Sequence, residues 1–168
     1  CLRHAIAQIR PAAADPVGGG QAGIRLAEFS YQRGYLDEAR ASLLRAREKL
    51  PQELEIEWKD LYSRVLMAQG RYNEAIGVLE GVNEDNDESA FLRYNLGVAL
   101  INDGRLAEGR TALDRVGRHT GKSELIRSLR DRANTTLGWL CLQNQLVGSA
   151  KPVLVRVQSD GIYPNRAL

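Results

Sequence analysis

Cysteine and histidine, the residues that build disulfides and most zinc sites, are scarce in this sequence. Two of each occur among the 168 residues. His4 and His119 are far apart, and neither has a cysteine or a carboxylate at the spacing of a zinc site. Cys141 falls on the apolar side of a predicted helix, where a free cysteine acts as a small hydrophobic residue. We therefore expect no metal site and no disulfide between Cys1 and Cys141.

Long apolar runs and charge of one sign are also missing. No stretch approaches the roughly 18 consecutive apolar residues that mark a membrane span, so no membrane-spanning segment is predicted. The 23 basic and 21 acidic side chains are intermixed, without the basic stripe that indicates nucleic-acid binding. Strand-like alternation never lasts longer than a few residues. Helix is therefore the expected state nearly everywhere.

Catalytic and cofactor-binding motifs are missing as well. The segment 117–123 (GRHTGKS) resembles a phosphate-binding loop, but it has three residues between its first glycine and the Gly-Lys-Ser, where such a loop needs four. It also follows a helical pattern, whereas a phosphate-binding loop follows a strand. We interpret it as a polar turn in which Ser123 caps the next helix. The sequence thus predicts no enzyme activity and no cofactor.

One short phrase recurs at nearly constant spacing. It stands at residues 34–39 (GYLDEA), 70–75 (GRYNEA) and 104–109 (GRLAEG), so its starts lie 36 and 34 residues apart. Apolar residues at the three- and four-residue spacing of a helix precede and follow each copy. A polar loop at residues 83–88 separates the second copy from the third, and Ser89 is the expected N-cap of the helix after it. Each phrase therefore marks the turn of a helical hairpin, and a fixed period of this length is typical of stacked-repeat proteins.

The repeats, prolines and glycines predict the domain organisation. Residues 1–10 have helical spacing and form an N-terminal helix, interpreted as the end of a preceding repeat. Residues 11–20 (PAAADPVGGG) are predicted to be a linker, because proline and glycine oppose regular structure. About four hairpins fill residues 21–162, and residues 163–168 begin a further, truncated repeat. The sequence has no initiator methionine and no signal peptide, and we interpret it as a fragment of a longer chain.

The fourth hairpin departs from the period. Gln145 takes the turn position, 41 residues after Gly104, where the previous spacing is 34. Seven further residues add about two helical turns, which predicts a long first helix over about residues 123–144. Proline is tolerated only within about the first turn of a helix. Because Pro152 lies in the last helix, that helix should begin near Ser149 or be kinked.

The pattern resembles the tetratricopeptide repeat family, whose 34-residue unit has small and large apolar residues at fixed positions and a proline near its end. The first hairpin matches at Leu26, Ala27, Gly34, Leu36, Ala39, Leu43, Ala46 and Pro51. The resemblance covers residues 21–157, with Gly109 in place of the usual alanine. It implies an all-α fold, a right-handed α-solenoid of stacked antiparallel helix pairs with the first helix of each pair on the concave side. The small residues expected where paired helices cross are Ala27, Ser63, Gly97 and Gly138.

The same resemblance implies where a partner would bind. Family members commonly bind a peptide or a partner domain with positions 2, 5, 9 and 12 of their first helices. The partner-binding residues carried over by register are Glu28, Tyr31, Asp60, Arg64, Met67, Phe91, Tyr94, Val98, Ile101 and Trp139, and the fourth set also contains Arg132, Thr135 and Leu142. Aromatic residues and arginine are enriched at binding hot spots. The alternative is that Phe91, Tyr94 and Trp139 are buried by the long fourth helix or by flanking repeats.

The resemblance therefore implies a non-catalytic scaffold in a bacterial protein that binds a protein or peptide partner. Two alternatives stay open: an accessory section of a larger enzyme or envelope-assembly protein, and a homo-oligomer that associates through exposed repeat ends. Many arginines and leucines beside few lysines are typical of a GC-rich bacterial genome. Similarity to exported bacterial repeat proteins favours a periplasmic or cell-envelope location, and a cytoplasmic one stays open.

Overall fold

A computed structural model of the chain describes residues 16–82 and 86–157, with side chains from residue 19 onward. The secondary structure of these residues is helical, without strands. The eight α-helices are α1 (Pro16–Gln32), α2 (Leu36–Arg47), α3 (Glu55–Ala68), α4 (Tyr72–Leu79), α5 (Asp87–Asn102), α6 (Leu106–Gly117), α7 (Glu124–Gln143) and α8 (Val147–Leu154). A short 3-10 helix, Gln52–Leu54, precedes α3. The predicted helix at 1–10 and the predicted repeat start at 163–168 lie outside the described residues.

The helices belong to two compact units. The first unit, residues 1–69, contains α1 to α3, and the second, residues 70–168, contains α4 to α8. In the first unit α1 packs on α2 and α2 on α3, while α1 also contacts α3. In the second unit each helix packs on the next one, and α5 also contacts α7. Each unit is therefore built of consecutive packed helices, and the all-α repeat fold predicted from the sequence is confirmed.

Short turns with one residue at positive φ join the paired helices. The turn residues Gly34, Gly104 and Gln145 have φ values of 78°, 89° and 59°. After each of them, a backbone N–H donates to a carbonyl five residues earlier. These bonds are Tyr35 N to Ser30 O (2.9 Å), Arg105 N to Leu100 O (2.8 Å) and Leu146 N to Cys141 O (2.8 Å). This bond pattern ends a helix in a left-handed residue, so the turn predicted at Gln145 is confirmed.

Small residues lie where paired helices cross, as predicted. A Cβ atom on Gly97 of α5 would lie 2.7 Å from Leu113 Cγ of α6. A Cβ atom on Gly138 of α7 would lie 2.2 Å from Leu154 Cδ2 of α8. Neither distance is compatible with a larger side chain in the observed packing, because carbon atoms in contact stay about 3.5 Å apart or more. These glycines therefore set how closely the helices of a pair approach.

The beginning of α1 differs from the prediction. The sequence predicts a linker over residues 11–20, but α1 already begins at Pro16. Proline is well suited to the first turn of a helix, since its fixed φ is helical and its missing N–H would have no partner there. Of the glycines assigned to the linker, Gly20 is closely packed, because a Cβ atom there would lie 3.0 Å from the Lys49 carbonyl oxygen, just after α2. The helix therefore includes a closely packed residue that the sequence pattern assigns to coil.

The cap of α5 also differs from the prediction. Its N-cap is Asn86, whose side-chain oxygen accepts a hydrogen bond of 2.7 Å from the backbone N–H of Ser89. Ser89 is therefore the third helical residue and not the cap. Both are good capping residues by type, and the helix begins at the earlier of the two.

The long helix of the fourth hairpin is confirmed, whereas the start of the last helix is not. α7 extends from Glu124 to Gln143, and the Ser123 hydroxyl caps it by accepting from the Ile126 N–H at 3.3 Å. α8 begins at Val147, two residues before the predicted Ser149. Pro152 is its sixth residue, and the helix ends at Leu154. Pro152 supplies no N–H to the helix, and a kink there, the other predicted outcome, stays a prediction.

Candidate partner-binding surfaces

In the first unit the structure brings together three of the predicted residues. The Arg64 guanidinium carbon of α3 lies 5.0 Å from the ring centre of Tyr31 on α1, and Arg64 NH1 lies 3.2 Å from Asp60 Oδ2 one turn earlier. Burial lowers the pKa of Arg64, but the charge and hydrogen bond of Asp60, together with Tyr31, outweigh it and raise that pKa above its usual value. Glu28 is exposed and Met67 is half-buried on the same two helices. On this side of the unit Arg64 is therefore stacked on Tyr31, and Asp60 neutralises its positive charge.

In the second unit four predicted residues share one face of α5. Phe91, Tyr94, Val98 and Ile101 follow the three- and four-residue spacing of a helix face. All four are half-buried and pack against a core formed by Ala90, Leu113, Val116, Ile126, Leu129, Ala133 and Leu137. Several of these core residues belong to α7. The long helix therefore covers part of this face, as the alternative interpretation expected, but the four side chains keep part of their surface exposed.

The neighbouring face of α7 is much more open. Trp139 is 57% exposed and Leu142 is 46% exposed, so the described residues do not bury Trp139. Arg132 is exposed, and its guanidinium carbon lies 5.0 Å from the ring centre of Tyr94. Thr135 is half-buried, and its hydroxyl oxygen has no hydrogen-bond partner among the described residues. We call these two adjoining faces the Tyr94 surface, formed by Phe91, Tyr94, Val98 and Ile101 of α5 and by Arg132, Thr135, Trp139 and Leu142 of α7.

The sequence analysis missed several buried polar residues on the two helices of this surface. Arg93 is 4% exposed and Asp131 is 2% exposed, on α5 and α7 respectively, and both have interaction partners. Asn134 of α7 is also buried, and its side-chain N–H donates to the Gly117 carbonyl at the end of α6 over 3.2 Å. The Oδ1 atom of Asn134 has no hydrogen-bond partner among the described residues, and such an unpaired buried group costs about 1–3 kcal/mol. In the sequence these residues can be recognised only as polar residues at positions where the helical pattern places the apolar core.

Trp58 is a missed residue in the first unit. It is 6% exposed on α3, and its indole N–H donates to the Leu43 carbonyl of α2 at 2.8 Å. The ring centres of Trp58 and Tyr62 lie 4.7 Å apart, and the Arg47 guanidinium stacks on the indole at 4.9 Å. This aromatic residue packs α3 on α2, so its role is structural.

The segment 117–123 is the polar turn that the sequence indicates. The His119 side chain is 8% exposed, and its Nδ1 accepts a hydrogen bond of 3.0 Å from the Gly121 N–H. A phosphate-binding loop needs its glycine N–H groups directed at the ligand, and here that donor is occupied. A Cβ atom on Gly121 would lie 2.5 Å from Asp87 Oδ1, so the turn also packs tightly on the start of α5.

Across residues 16–82 and 86–157 no group of three or more histidine, cysteine or acidic side chains is arranged to hold a metal ion. No helix in the same part of the chain combines the length and the apolar character that crossing a bilayer demands.

Comparison with known proteins gives one match. Residues 66–133 match a family model described as Tetratricopeptide repeat. The matched segment runs from the end of α3 into α7 and contains the turns at Gly70 and Gly104. It also contains the α5 face of the Tyr94 surface and Arg132. No curated protein and no solved structure matches the chain.

Proposed function

We propose that this chain, a tetratricopeptide repeat protein, is a non-catalytic scaffold that binds a protein or peptide through the Tyr94 surface. Repeats of this family generally mediate protein–protein interaction and are typically non-catalytic. The proposal assigns that role to a defined set of side chains on α5 and α7. A peptide segment is the natural ligand for a surface that runs along two adjacent helices.

The observation that carries the proposal is the exposure of Trp139 beside a partly covered aromatic and aliphatic face. Tryptophan is usually buried over most of its surface, yet 57% of Trp139 is exposed. Leu142 is exposed on the same side of α7, one turn further along the helix. Adjacent exposed apolar groups with a polar neighbour such as Arg132 are typical of interaction sites, where tryptophan, tyrosine and arginine contribute most binding energy.

The predicted residues of the first unit are proposed as a second contact surface. Tyr31, Asp60, Arg64 and Met67 lie half-buried on α1 and α3, and Glu28 is exposed near them in sequence. Because Arg64 is already paired with Asp60, this cluster offers little uncompensated charge to a partner. We therefore expect it to contribute less to affinity than the Tyr94 surface.

The test is selection of peptides from a phage-displayed library of random 12-residue sequences on the immobilised full chain. Selected peptides are then synthesised, and their Kd values are measured by fluorescence polarisation against the wild type, Trp139→Ala and Val155→Ala. Val155 is 75% exposed and lies outside the Tyr94 surface, so Val155→Ala is the matched control. Removing a hot-spot tryptophan costs about 2 kcal/mol or more. We expect Trp139→Ala to weaken binding at least about tenfold and Val155→Ala to change it less than about twofold.

Both variants change exposed side chains, so both should fold with unchanged helicity. Tyr94 is left unchanged in this design, because it also packs on the core and its removal would affect stability. If every selected peptide bound Trp139→Ala as tightly as the wild type, the Tyr94 surface would not be the binding site.

A further inference from the structure

The two units contain the same stacking arrangement between alternate helices. In the first unit Arg64 of α3 lies over the ring of Tyr31 on α1, and in the second unit Arg132 of α7 lies over the ring of Tyr94 on α5. The distance from guanidinium carbon to ring centre is 5.0 Å in both. A guanidinium group at this distance is attracted by the negative face of the aromatic ring. Both arginines are therefore held in a defined position.

The two stacks differ in how the arginine charge is compensated. Arg64 NH1 lies 3.2 Å from the carboxylate of Asp60, four residues earlier on α3. The equivalent position before Arg132 is Ser128, and Leu129, Thr135 and Thr136 occupy the other positions one turn away. Among the residues that the structure describes, Arg132 forms no ion pair. Arg132 is therefore exposed and held in position, but unlike Arg64 it has no carboxylate four residues earlier on its helix.

Arg132 also lies within a longer stripe of α7 whose large apolar side chains are exposed. Residues at alternating three- and four-residue spacing share one side of a helix. The stripe that contains Arg132 consists of Leu125, Ser128, Arg132, Thr135, Trp139 and Leu142. Its large apolar members are exposed by 71% for Leu125, 57% for Trp139 and 46% for Leu142. The positive charge therefore has exposed apolar side chains on both sides.

The length of the stripe fixes the kind of segment that fits. At 1.5 Å per residue, Leu125 and Leu142 lie about 25 Å apart along α7, and Arg132 and Trp139 about 10 Å apart. An extended peptide advances about 3.3 Å per residue, so about three residues span the second distance. A segment with an acidic side chain at Arg132 would thus place a residue two to four positions away on Trp139.

We infer that Arg132, held on the ring of Tyr94, recognises an aspartate or glutamate side chain within an otherwise apolar peptide segment. This inference rests on the proposed function and specifies its partner. The guanidinium donates paired hydrogen bonds to the carboxylate, and Trp139 and Leu142 bind a large apolar side chain two to four residues away. The carboxylate is that of a side chain and not of a chain end, because Leu125 continues the apolar stripe on the other side of Arg132.

The experiment uses the peptides selected on the full chain, synthesised with amidated C-termini so that the side chain is the only carboxylate source. Peptides are expected to be enriched in aspartate or glutamate two to four positions from a large apolar residue. Arg132→Gln should weaken such a peptide about fivefold to tenfold, the range for a partly exposed charged hydrogen bond. Arg127→Gln, which changes an exposed arginine of α7 outside the stripe, is the control and should leave the Kd within about twofold.

A double-mutant cycle makes the pairing specific. Replacing the acidic residue of the peptide by its amide should weaken wild-type binding as much as Arg132→Gln does, and the two changes together should cost little more than either alone. Peptides without acidic enrichment, or an unchanged Kd in Arg132→Gln, would overturn the inference. If such peptides still required Trp139, the proposed function would stand while the inference failed. If no peptide required Trp139, both would fail.

Discussion

Gly97 of α5 and Gly109 of α6 lie against each other across the third helical pair. A Cβ atom on Gly109 would stand 2.8 Å from the carbonyl oxygen of Gly97 and 2.7 Å from Ile101 Cγ1. The first of these neighbours is backbone, so it cannot move without moving the helix. The repeats before it have alanine at this position, Ala39 and Ala75, and both are fully buried. The third pair is therefore packed more closely at this point than an alanine would allow.

Gly109→Ala should consequently destabilise the protein. Glycine to alanine in a helix interior normally stabilises by about 1 kcal/mol. Here the added methyl group overpacks the helix contact, and overpacking typically costs about 1–3 kcal/mol. We expect a lower free energy of unfolding, measured by urea denaturation followed by circular dichroism.

Gly77→Ala is the matched control for this change. Gly77 lies in α4 of the same unit, and a Cβ atom there would meet no other atom within 4 Å. This substitution should raise the free energy of unfolding by about 0.5–1 kcal/mol, because it only removes the entropic cost of glycine. Equal stabilisation by both substitutions would show that α5 and α6 are not in close contact at Gly109.

The features predicted well from the sequence have local causes. The length of α7 followed from the enlarged spacing between Gly104 and Gln145, and its start followed from Ser123 as a capping residue. Turns, caps and helical periodicity depend on a few neighbouring residues, so a single sequence is enough to detect them. The common face of Phe91, Tyr94, Val98 and Ile101 on α5 also follows from the helical period, whereas its role in binding stays a prediction.

The features that the sequence analysis missed depend on contacts between helices. The helix α1 begins at Pro16 although glycines follow at residues 18–20, and its later residues pack on α2. Helical periodicity places Trp139 on a helix face but does not say what covers that face. Whether Trp139 is exposed or buried could therefore not be predicted from the sequence. The same limit explains Leu142, whose exposure completes the α7 stripe.

Gln145→Gly should stabilise the fourth hairpin. Gln145 has a φ of 59°, where the turn residues Gly34 of the α1–α2 pair and Gly104 of the α5–α6 pair are glycine. In this left-handed region the conformational free energy of a residue with a Cβ atom is about 1 kcal/mol higher, whereas that of glycine is not raised. We expect the thermal midpoint to rise by about 2–4 °C, measured by circular dichroism. Gly104→Ala, the reverse change at the equivalent turn, should lower it; a loss of stability in Gln145→Gly would contradict the assigned turn.

Asp114 of α6 joins that helix to the segment after α8 through Arg156, and it also pairs with Arg118 at the end of α6. Its carboxylate accepts hydrogen bonds from Arg156 NH1 at 2.6 Å and from Arg118 Nε at 2.8 Å. Burial raises the pKa of Asp114, but the hydrogen bonds and charges of Arg156 and Arg118 together outweigh it and lower the pKa below its ordinary value. The folded state therefore holds the proton less tightly than the unfolded state does.

This difference predicts how stability depends on pH. Because the pKa is lower in the folded state, the Asp114 contribution is fully present above the ordinary aspartate pKa of about 3.9 and is lost as the pH falls through the folded value. The carboxylate is 37% exposed, so solvent screening keeps the contribution below about 1 kcal/mol. In a double-mutant cycle of Asp114→Asn and Arg156→Gln, measured by urea denaturation, we expect a coupling energy at pH 7 that becomes smaller at acidic pH, below the ordinary aspartate pKa of about 3.9. A coupling that persists at the acidic pH would mean that the interaction between these residues does not depend on the ionised carboxylate, and the salt bridge would not be what holds the end of α8 to α6.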